Sequence, residues 1–479
     1  MASSPARRVS CAVAACALAA CAVACAGAPS AAPFAASDGS PTSDEAMLDD
    51  LEHRTFDFFW RTTNPDNGLV PDRYPTPSFS SIAAVGFGLT AYAVGVERRW
   101  VTRAAARDRV RTTLAFFRDA PQGEAATGVT GYKGFYYHFL DMKTGVRFKD
   151  VELSSIDTAL LLAGVLFCRE YFSNLGPEET ELRGLADTLL ERADWRWMQA
   201  RAPAIAMGWT PEHGFLDYDW IGYNEGMIAL LLALGSPTFA VEPAAWDRWA
   251  SRYDAVFGVA YGQQHLMFPP LFGHQYSHLW VDFRKIRDRY MAARDLDYFE
   301  NSRRATLAQR AYAIANPDGW TGYGADVWGL TASDGPGDMT LSIAGVPRTI
   351  RGYAARGMAS NDDGTLAPTA MISSLPFAPE IVAPGIREML RRYGAQIYRE
   401  YGFADAFNPS FPATARPATG AVVPGAGWVD VDYLGIDQGP IIGMIENHRS
   451  ALIWNTLRKS AYLRRGLGRA GFTGGWLAP

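Results

Sequence analysis

The stretch Gly222-Tyr223-Asn224-Glu225-Gly226-Met227-Ile228-Ala229-Leu230-Leu231 runs from a glycine-rich loop through a single acid into an unbroken apolar segment. An apolar run with no polar alternation, entered from such a loop, reads as the start of a buried helix. The same arrangement returns at Gly435-Ile436-Asp437-Gln438-Gly439-Pro440-Ile441-Ile442, where Pro440 is expected near the first helical position. Both junctions follow loops that mix acids with rings: Trp209, Glu212, Asp217, Tyr218, Asp219 and Trp220 before the first, Trp428, Asp430, Asp432 and Tyr433 before the second. Sugars stack on aromatic faces while carboxyls move protons, so the pattern points to chemistry on a glycan.

Outward from these junctions, apolar residues recur at helical spacing from about residue 44 to 462, in about twelve segments. Long loops rich in Gly, Pro, Trp and Tyr separate them, among them 120–150, 200–222, 260–275, 316–352 and 402–437. Loops of that length in a compact domain are usually functional. The expected fold is all-α: an (α/α)6 toroid, or barrel, of inner and outer helix rings with the long loops gathered at the active-site end. A strand signal is local, at 134–148, as a hairpin turning at Lys143-Thr144-Gly145. No composition break divides residues 44–479, which are expected to form a single catalytic domain.

With 479 residues, 48% of them hydrophobic, the chain can bury a large core. Its net charge of −5 carries no basic stripe, which argues against a nucleic-acid partner. Arg7 and Arg8 precede an Ala/Val/Cys-rich run, so residues 1–21 read as a signal peptide, with Leu18-Ala19-Ala20-Cys21 as a lipobox. Residues 22–43 read as a flexible tether. The expected destination is export, either periplasmic or as a membrane-anchored lipoprotein, with the membrane met only through that lipid. Cys168, the one cysteine beyond the leader, reads as helix packing.

Several acids stand where a cleft would need them. Glu225 and Asp437 sit at loop–helix junctions, although either could simply complement a helix N-terminus. Glu152 and Asp157 flank Leu153-Ser154-Ser155-Ile156, where Ser154 and Asp157 have the spacing of a capping box. Glu446, beside Asn447, His448 and Arg449, reads as a buried ion pair at least as readily as a catalytic group. Two clusters, Phe272-Gly273-His274-Gln275-Tyr276-Ser277-His278 and Trp320 to Leu330 with Tyr323 and Trp328, are expected as sugar-binding surface, with helix-end packing as the plainer reading. His274 and His278 lack a Glu-x-x-His context, so no metal is expected; no phosphate-cradling loop or Gly-x-Ser-x-Gly elbow is present, and no cofactor is expected.

The strings Glu152-Leu-Ser-Ser-Ile-Asp157-Thr-Ala-Leu, Phe272-Gly-His-Gln-Tyr-Ser-His278, Trp328-Gly-Leu-Thr-Ala-Ser-Asp334, Asp363-Gly-Thr-Leu-Ala-Pro368 and Ile436-Asp-Gln-Gly-Pro-Ile-Ile-Gly-Met-Ile-Glu446-Asn447 together resemble the bacterial glycoamylase-like family. This is the glycoside hydrolase family 144 type, which includes secreted endo-β-1,2-glucanases and is similar to a domain of cyclic β-1,2-glucan synthases. The resemblance spans about residues 45–465. It implies an (α/α)6 toroid and inverting hydrolysis of β-1,2-glucan, with the Tyr-Asn-Glu-Gly glutamate, Glu225, as general acid. Asp437 is the choice for general base, Glu152 and Asp157 being further acids of the cleft. Relatives of this type relay the water proton through a substrate hydroxyl. Release of sophorose by an exo-acting enzyme, action on another β-glucan, glycosyl transfer and non-catalytic glycan binding are the competing expectations.

Overall fold

The computed structural model describes residues 43–478, so the expected leader and nearly all of the expected tether lie outside the described residues. Sixteen α-helices occur among them, and thirteen carry the architecture. In chain order these are α1 (Asp44–Thr62), α2 (Ile82–Glu97), α3 (Arg103–Asp119), α4 (Ser155–Tyr171), α5 (Pro177–Arg192), α6 (Met227–Gly235) and α7 (Ala244–Ala250). They continue as α8 (Tyr276–Trp280), α9 (Tyr298–Ala315), α10 (Pro368–Ile372), α11 (Pro379–Ile397), α12 (Gly435–Arg449) and α13 (Ala461–Arg469).

Two helix types alternate along the chain. α2, α4, α6, α8, α10 and α12 are buried almost from end to end, while α1, α3, α5, α7, α9 and α11 each bury only part of their surface. The sequence sets this difference, because an all-apolar helix such as Met227–Gly235 must be covered on every side, whereas a helix with one apolar stripe covers something else. α2 packs on α4 and α12, α4 on α6, α6 on α8, and α12 on α8 and α10. From outside, α1 lies on α2 and α12, α3 on α2, α5 on α4, α11 on α10, and α13 on α6.

Glycines permit the closest of these contacts. A Cβ on Gly86 of α2 would stand 2.2 Å from the Leu160 carbonyl oxygen of α4, and one on Gly164 of α4 would stand 2.2 Å from the Gly86 oxygen. α2 and α4 therefore touch backbone to backbone. Cys168 lies on the same helix, buried, with its thiol against the Leu89 carbonyl at 3.2 Å.

The strand content departs from the sequence reading. Turn residues Lys143-Thr144-Gly145 do close a hairpin, bridged at Leu140 and Arg147. Among the described residues, twenty strands of two to five residues tie the loops together. The largest sheet joins 131–132, 135–137, 153–154, 208–210 and 214–215. Segments so short carry no readable alternation, and some pair with partners distant in sequence, as 73–74 does with 433–434. Two helix expectations are also corrected. The run 276–292 is broken: it is a helix to Trp280, turns extended at Val281, and is helical again only over Arg289–Ala292. α12 begins at Gly435, which places Pro440 inside it and Asp437 in its first turn.

Candidate active site

The N-terminal ends of the buried helices come together and carry the acids. Glu225 immediately precedes α6, Asp157 lies in the first turn of α4, Tyr276 opens α8, Thr369 lies in the first turn of α10, and Asp437 lies in that of α12. Thr369 Oγ1 donates to the Asp437 carbonyl at 3.0 Å, and Ser277 Oγ to the Glu225 carbonyl at 3.3 Å. Burial raises the Tyr276 phenol, and the charges of Asp437, Glu225 and Asp157 raise it further. Helix N-termini favour nearby anions, which offsets part of the cost of burying so many carboxyls.

Glu225 is held where its neutral form is favoured. Asn224 fixes the preceding turn by accepting from the Gly226 amide at 2.9 Å and from the Trp249 indole at 3.4 Å. Glu225 Oε2 is shut off from solvent without a hydrogen-bond partner. Burial pushes the carboxyl up to about 7, with a smaller push from Asp157. Without a cation beside it, the neutral form is favoured.

Asp437 is 3% exposed, and its Oδ2 has no hydrogen-bond partner. Burial raises it to about 7, Asp334 and Asp72 raise it as well, and a hydrogen bond from Asp405 opposes them. Asp405 sits on the irregular segment between two short strands; its backbone amide donates to Asp432 O, and its Oδ2 accepts from the Asp334 amide at 2.9 Å.

Glu152 and Asp157 meet at a third group that the sequence reading passed over, His138. Its Nδ1 lies 2.9 Å from Glu152 Oε1 and its Nε2 3.5 Å from Asp157 Oδ1. Burial opposes the imidazolium, but the two carboxylates overcome it and raise His138 to about 9. At neutral pH this is a cation between two anions. Asp157 also makes the expected cap: its amide donates to Ser154 Oγ at 3.1 Å while that hydroxyl donates to Asp157 Oδ2 at 2.5 Å.

A second acid cluster rims the same cleft. Asp334, Asp430 and Asp432 each bring a carboxylate oxygen within 4.8 Å of the others, which is the one grouping among the described residues that could hold a metal. Arg73 already supplies positive charge there, at 2.6 Å from Asp334 and 3.3 Å from Asp72. Tyr353, the residue before the short strand that pairs Ala354 with Ser333, is 47% exposed. Burial and the charges of Asp437, Asp405, Asp72 and Asp334 raise its phenol. A ring that is open to solvent on one side and faces acids on the other is a stacking platform for a sugar.

The expected binding surfaces are only partly where the sequence placed them. His274, Gln275, His278 and Trp328 are at most 1% exposed and are core rather than surface. Gln275 Nε2 donates to Ala370 O and Ser374 Oγ, joining the α8 entrance to α10. His278 lies 3.0 Å from Ser302 Oγ against Phe283 and Phe377, and burial lowers it to about 3. Trp320 is 4% exposed beneath Arg348, which lies 4.7 Å from its ring centroid, and Tyr323 donates to Asp362 at 2.7 Å. These last two belong to a separate loop cluster, next to a cavity of about 410 Å³ lined by Arg351, Asn361 and Asp362. Of that stretch of sequence it is Tyr276 that feels the charges of the acids. Asp405, Asp72, His138 and Tyr353 went unread, although Asp405 carries a local signal, an acid isolated in Phe403-Ala404-Asp405-Ala406-Phe407.

Residues 217–461 match the glycoamylase family model, described as "Putative glucoamylase". The exo β-1,2-glucooligosaccharide sophorohydrolase of Parabacteroides distasonis is 29% identical over 89% of the chain, and the chain spans 58% of that relative's length. A Bacteroides uniformis crystal structure of the same description as the family model is 32% identical, with a TM-score of 0.80 over 92% of this chain and 100% of that one. The endo-β-1,2-glucanase of Chitinophaga pinensis, in complex with sophorotriose and glucose, is 28% identical, with a TM-score of 0.78 over 91% of this chain and 100% of that one.

Proposed function

The chain belongs to the glycoamylase-like family, and on that footing we propose that it is a glycoside hydrolase that cleaves β-1,2-glucan, endo-acting and inverting. The observation that carries this reading is the pair of carboxyls at the entrances of α6 and α12, each raised to about 7 and each with an oxygen left without a partner. Two acids poised near neutrality in one cleft are suited to protonating a leaving group and deprotonating water.

In this mechanism Glu225 is neutral and donates its proton to the glycosidic oxygen as the bond from that oxygen to the anomeric carbon breaks. Asp437, ionised, takes a proton from a water molecule, directly or through a substrate hydroxyl, while the water oxygen bonds to the anomeric carbon from the opposite face. His138, Glu152 and Asp157 lie beside the acid as hydrogen-bonding groups for sugar hydroxyls, and Tyr353 offers a stacking face. The alternation of buried and half-covered helices, with contacts running from α10 and α8 through α12, α2, α4 and α6 back to α8, supports the (α/α)6 toroid. The leader at 1–21 supports export, with Cys21 as the lipid anchor.

The test is to incubate the purified protein with linear β-1,2-glucan beside β-1,3-, β-1,4- and α-glucans and to follow products over time. Mixed oligosaccharides appearing early from the β-1,2 polymer alone are expected. Disaccharide as the sole product from the outset would select exo action, as in the sophorohydrolase of Parabacteroides distasonis. Binding without turnover on every glucan would overturn the hydrolase reading.

A further inference from the structure

The cavity of about 410 Å³ beside Trp320 is lined by none of the catalytic acids, and its volume is that of a site for a small molecule. Its wall carries groups that the fold leaves unused. Trp320 is held by Asn316, which donates to its carbonyl and accepts from its amide at 2.8 Å, yet its indole nitrogen is buried with no acceptor. Arg351 is anchored through its backbone amide, 2.9 Å from Asp363 Oδ2, while its guanidinium has no ion pair or hydrogen bond among the described residues. The same wall has acceptors to spare. Asp362 Oδ2 takes one hydrogen bond, from the Tyr312 hydroxyl at 2.6 Å, and Asp318 gives one of its two carboxylate oxygens to Arg348 at 2.8 Å. Unused donors beside spare acceptors suit a neutral polyhydroxyl ligand, whose hydroxyls both accept and donate, whereas an anion would meet two carboxylates.

The Trp320 ring is covered by Arg348, so stacking falls to other rings. Tyr261, 41% exposed at the tip of the hairpin 257–266, stands edge-on to Tyr312 with ring centroids 5.3 Å apart, and Tyr312 is the donor to Asp362. Along the chain, Arg351 leads within two residues to Tyr353. Exposed rings on either side of a polar cavity are suited to holding sugar rings.

We propose that this cavity, with Tyr261 beyond it, is a second saccharide site that holds a length of glucan outside the catalytic cleft. The proposal rests on the hydrolase reading and adds where the uncleaved remainder of a long chain is held. One polymer bound at both places keeps its next bond at a high local concentration near the acids, an advantage that a chain too short to reach both does not receive. Arg351 and Tyr261 hold substrate and take no part in bond breaking.

The test compares R351A and Y261A with wild type on linear β-1,2-glucan and on the β-1,2-linked tetrasaccharide. In each variant KM for the polymer is expected to rise ~10-fold, the loss of one hydrogen bond to a charged group or of one stacking face, with kcat and the tetrasaccharide KM within about twofold of wild type. Retardation in a native gel containing β-1,2-glucan is expected to weaken in both. Polymer and tetrasaccharide KM rising together in a folded variant would place these residues in the catalytic cleft and overturn the proposal. Polymer KM unmoved in both variants also overturns it, and a wild-type thermal shift with inorganic phosphate that R351A abolishes would then mark the cavity as an anion site. If Y261A does not melt cooperatively, R351A decides alone, because its side chain holds nothing else in the fold. Gel retardation that depends on Arg351, with no turnover of any glucan, would sink the hydrolase reading and leave the second site standing.

Discussion

α12 carries a buried acid near each of its ends, and the two are treated in opposite ways. Glu446, in its last turns, pairs with Arg98 at 2.7 Å, while Glu52 on α1 receives Arg449 at 2.5 Å and Arg98 at 3.5 Å. Burial and then Glu446 push Glu52 up, and the two arginines pull it back. Asp437, nine residues earlier and so about 14 Å along the axis, is 3% exposed with another aspartate for company and an oxygen unpartnered. The same cost of burying charge is offset by cations at one end of the helix and left standing at the other. Carboxyls neutralised by arginine hold the scaffold together, whereas carboxyls raised to neutrality without a cation can gain and lose protons at the pH where the protein works.

The strongest way to break this contrast is to remove Glu225, which like Asp437 is raised to about 7 with no cation beside it. E225Q should lower kcat on β-1,2-glucan by ~10³-fold, measured by reducing-end release, while the thermal melt stays cooperative. Next in size is the compensated end. R98M leaves Glu446 without its cation and Glu52 with Arg449 alone, and should cost about 3 kcal/mol of stability by urea unfolding, with kcat unchanged in the folded enzyme. Loss of activity without loss of stability would mean that the arginine end also serves the chemistry.

The third test returns to Glu225 and its sign. Its folded value, about 7, is raised above the ordinary 4.5, so its stabilising share is complete below about pH 4.5 and is lost as pH rises through 7. E225Q should therefore unfold at higher urea than wild type at pH 8, by ~3 kcal/mol, and equally with it at pH 4. The wild-type rate profile sharpens the same point. Asp437 must be ionised and Glu225 neutral, both near 7, so activity should follow a narrow bell centred near neutrality. The smallest effect belongs to the platform above the acids: Y353A should raise KM roughly tenfold, as expected for one lost sugar-stacking face, with Y353F close to wild type.

Helix positions are legible in the sequence because burial is written there residue by residue. Met227–Gly235 has no polar side chain, and only a helix covered on all sides accommodates that. The acids at helix entrances are legible for the same reason, since Glu225 and Asp437 interrupt otherwise apolar or glycine-rich text. The aromatic clusters mislead because Trp and His serve cores and clefts alike, and nothing local tells Trp328, fully buried, from Tyr353, half open. His138 and Asp405 act through partners that two-residue strands bring together from far apart. That pairing is decided by tertiary packing, which a reading along the chain does not reach. Glu446 was rightly open to the ion-pair reading, and Arg98, 348 residues away in sequence, completes it.

The seam where Gly86 and Gly164 let α2 and α4 touch sets how freely this protein can drift in sequence. Elsewhere in the core a larger side chain can be absorbed by a neighbour turning aside, but here the obstacle is a carbonyl oxygen at 2.2 Å on a helix backbone. Even a single methyl group would have to wedge two whole helices apart, and one of them carries Asp157 in its first turn. Evolution can rewrite the loops above the cleft to suit new glucans, while these two positions stay locked as a hinge-free datum from which the acids are spaced.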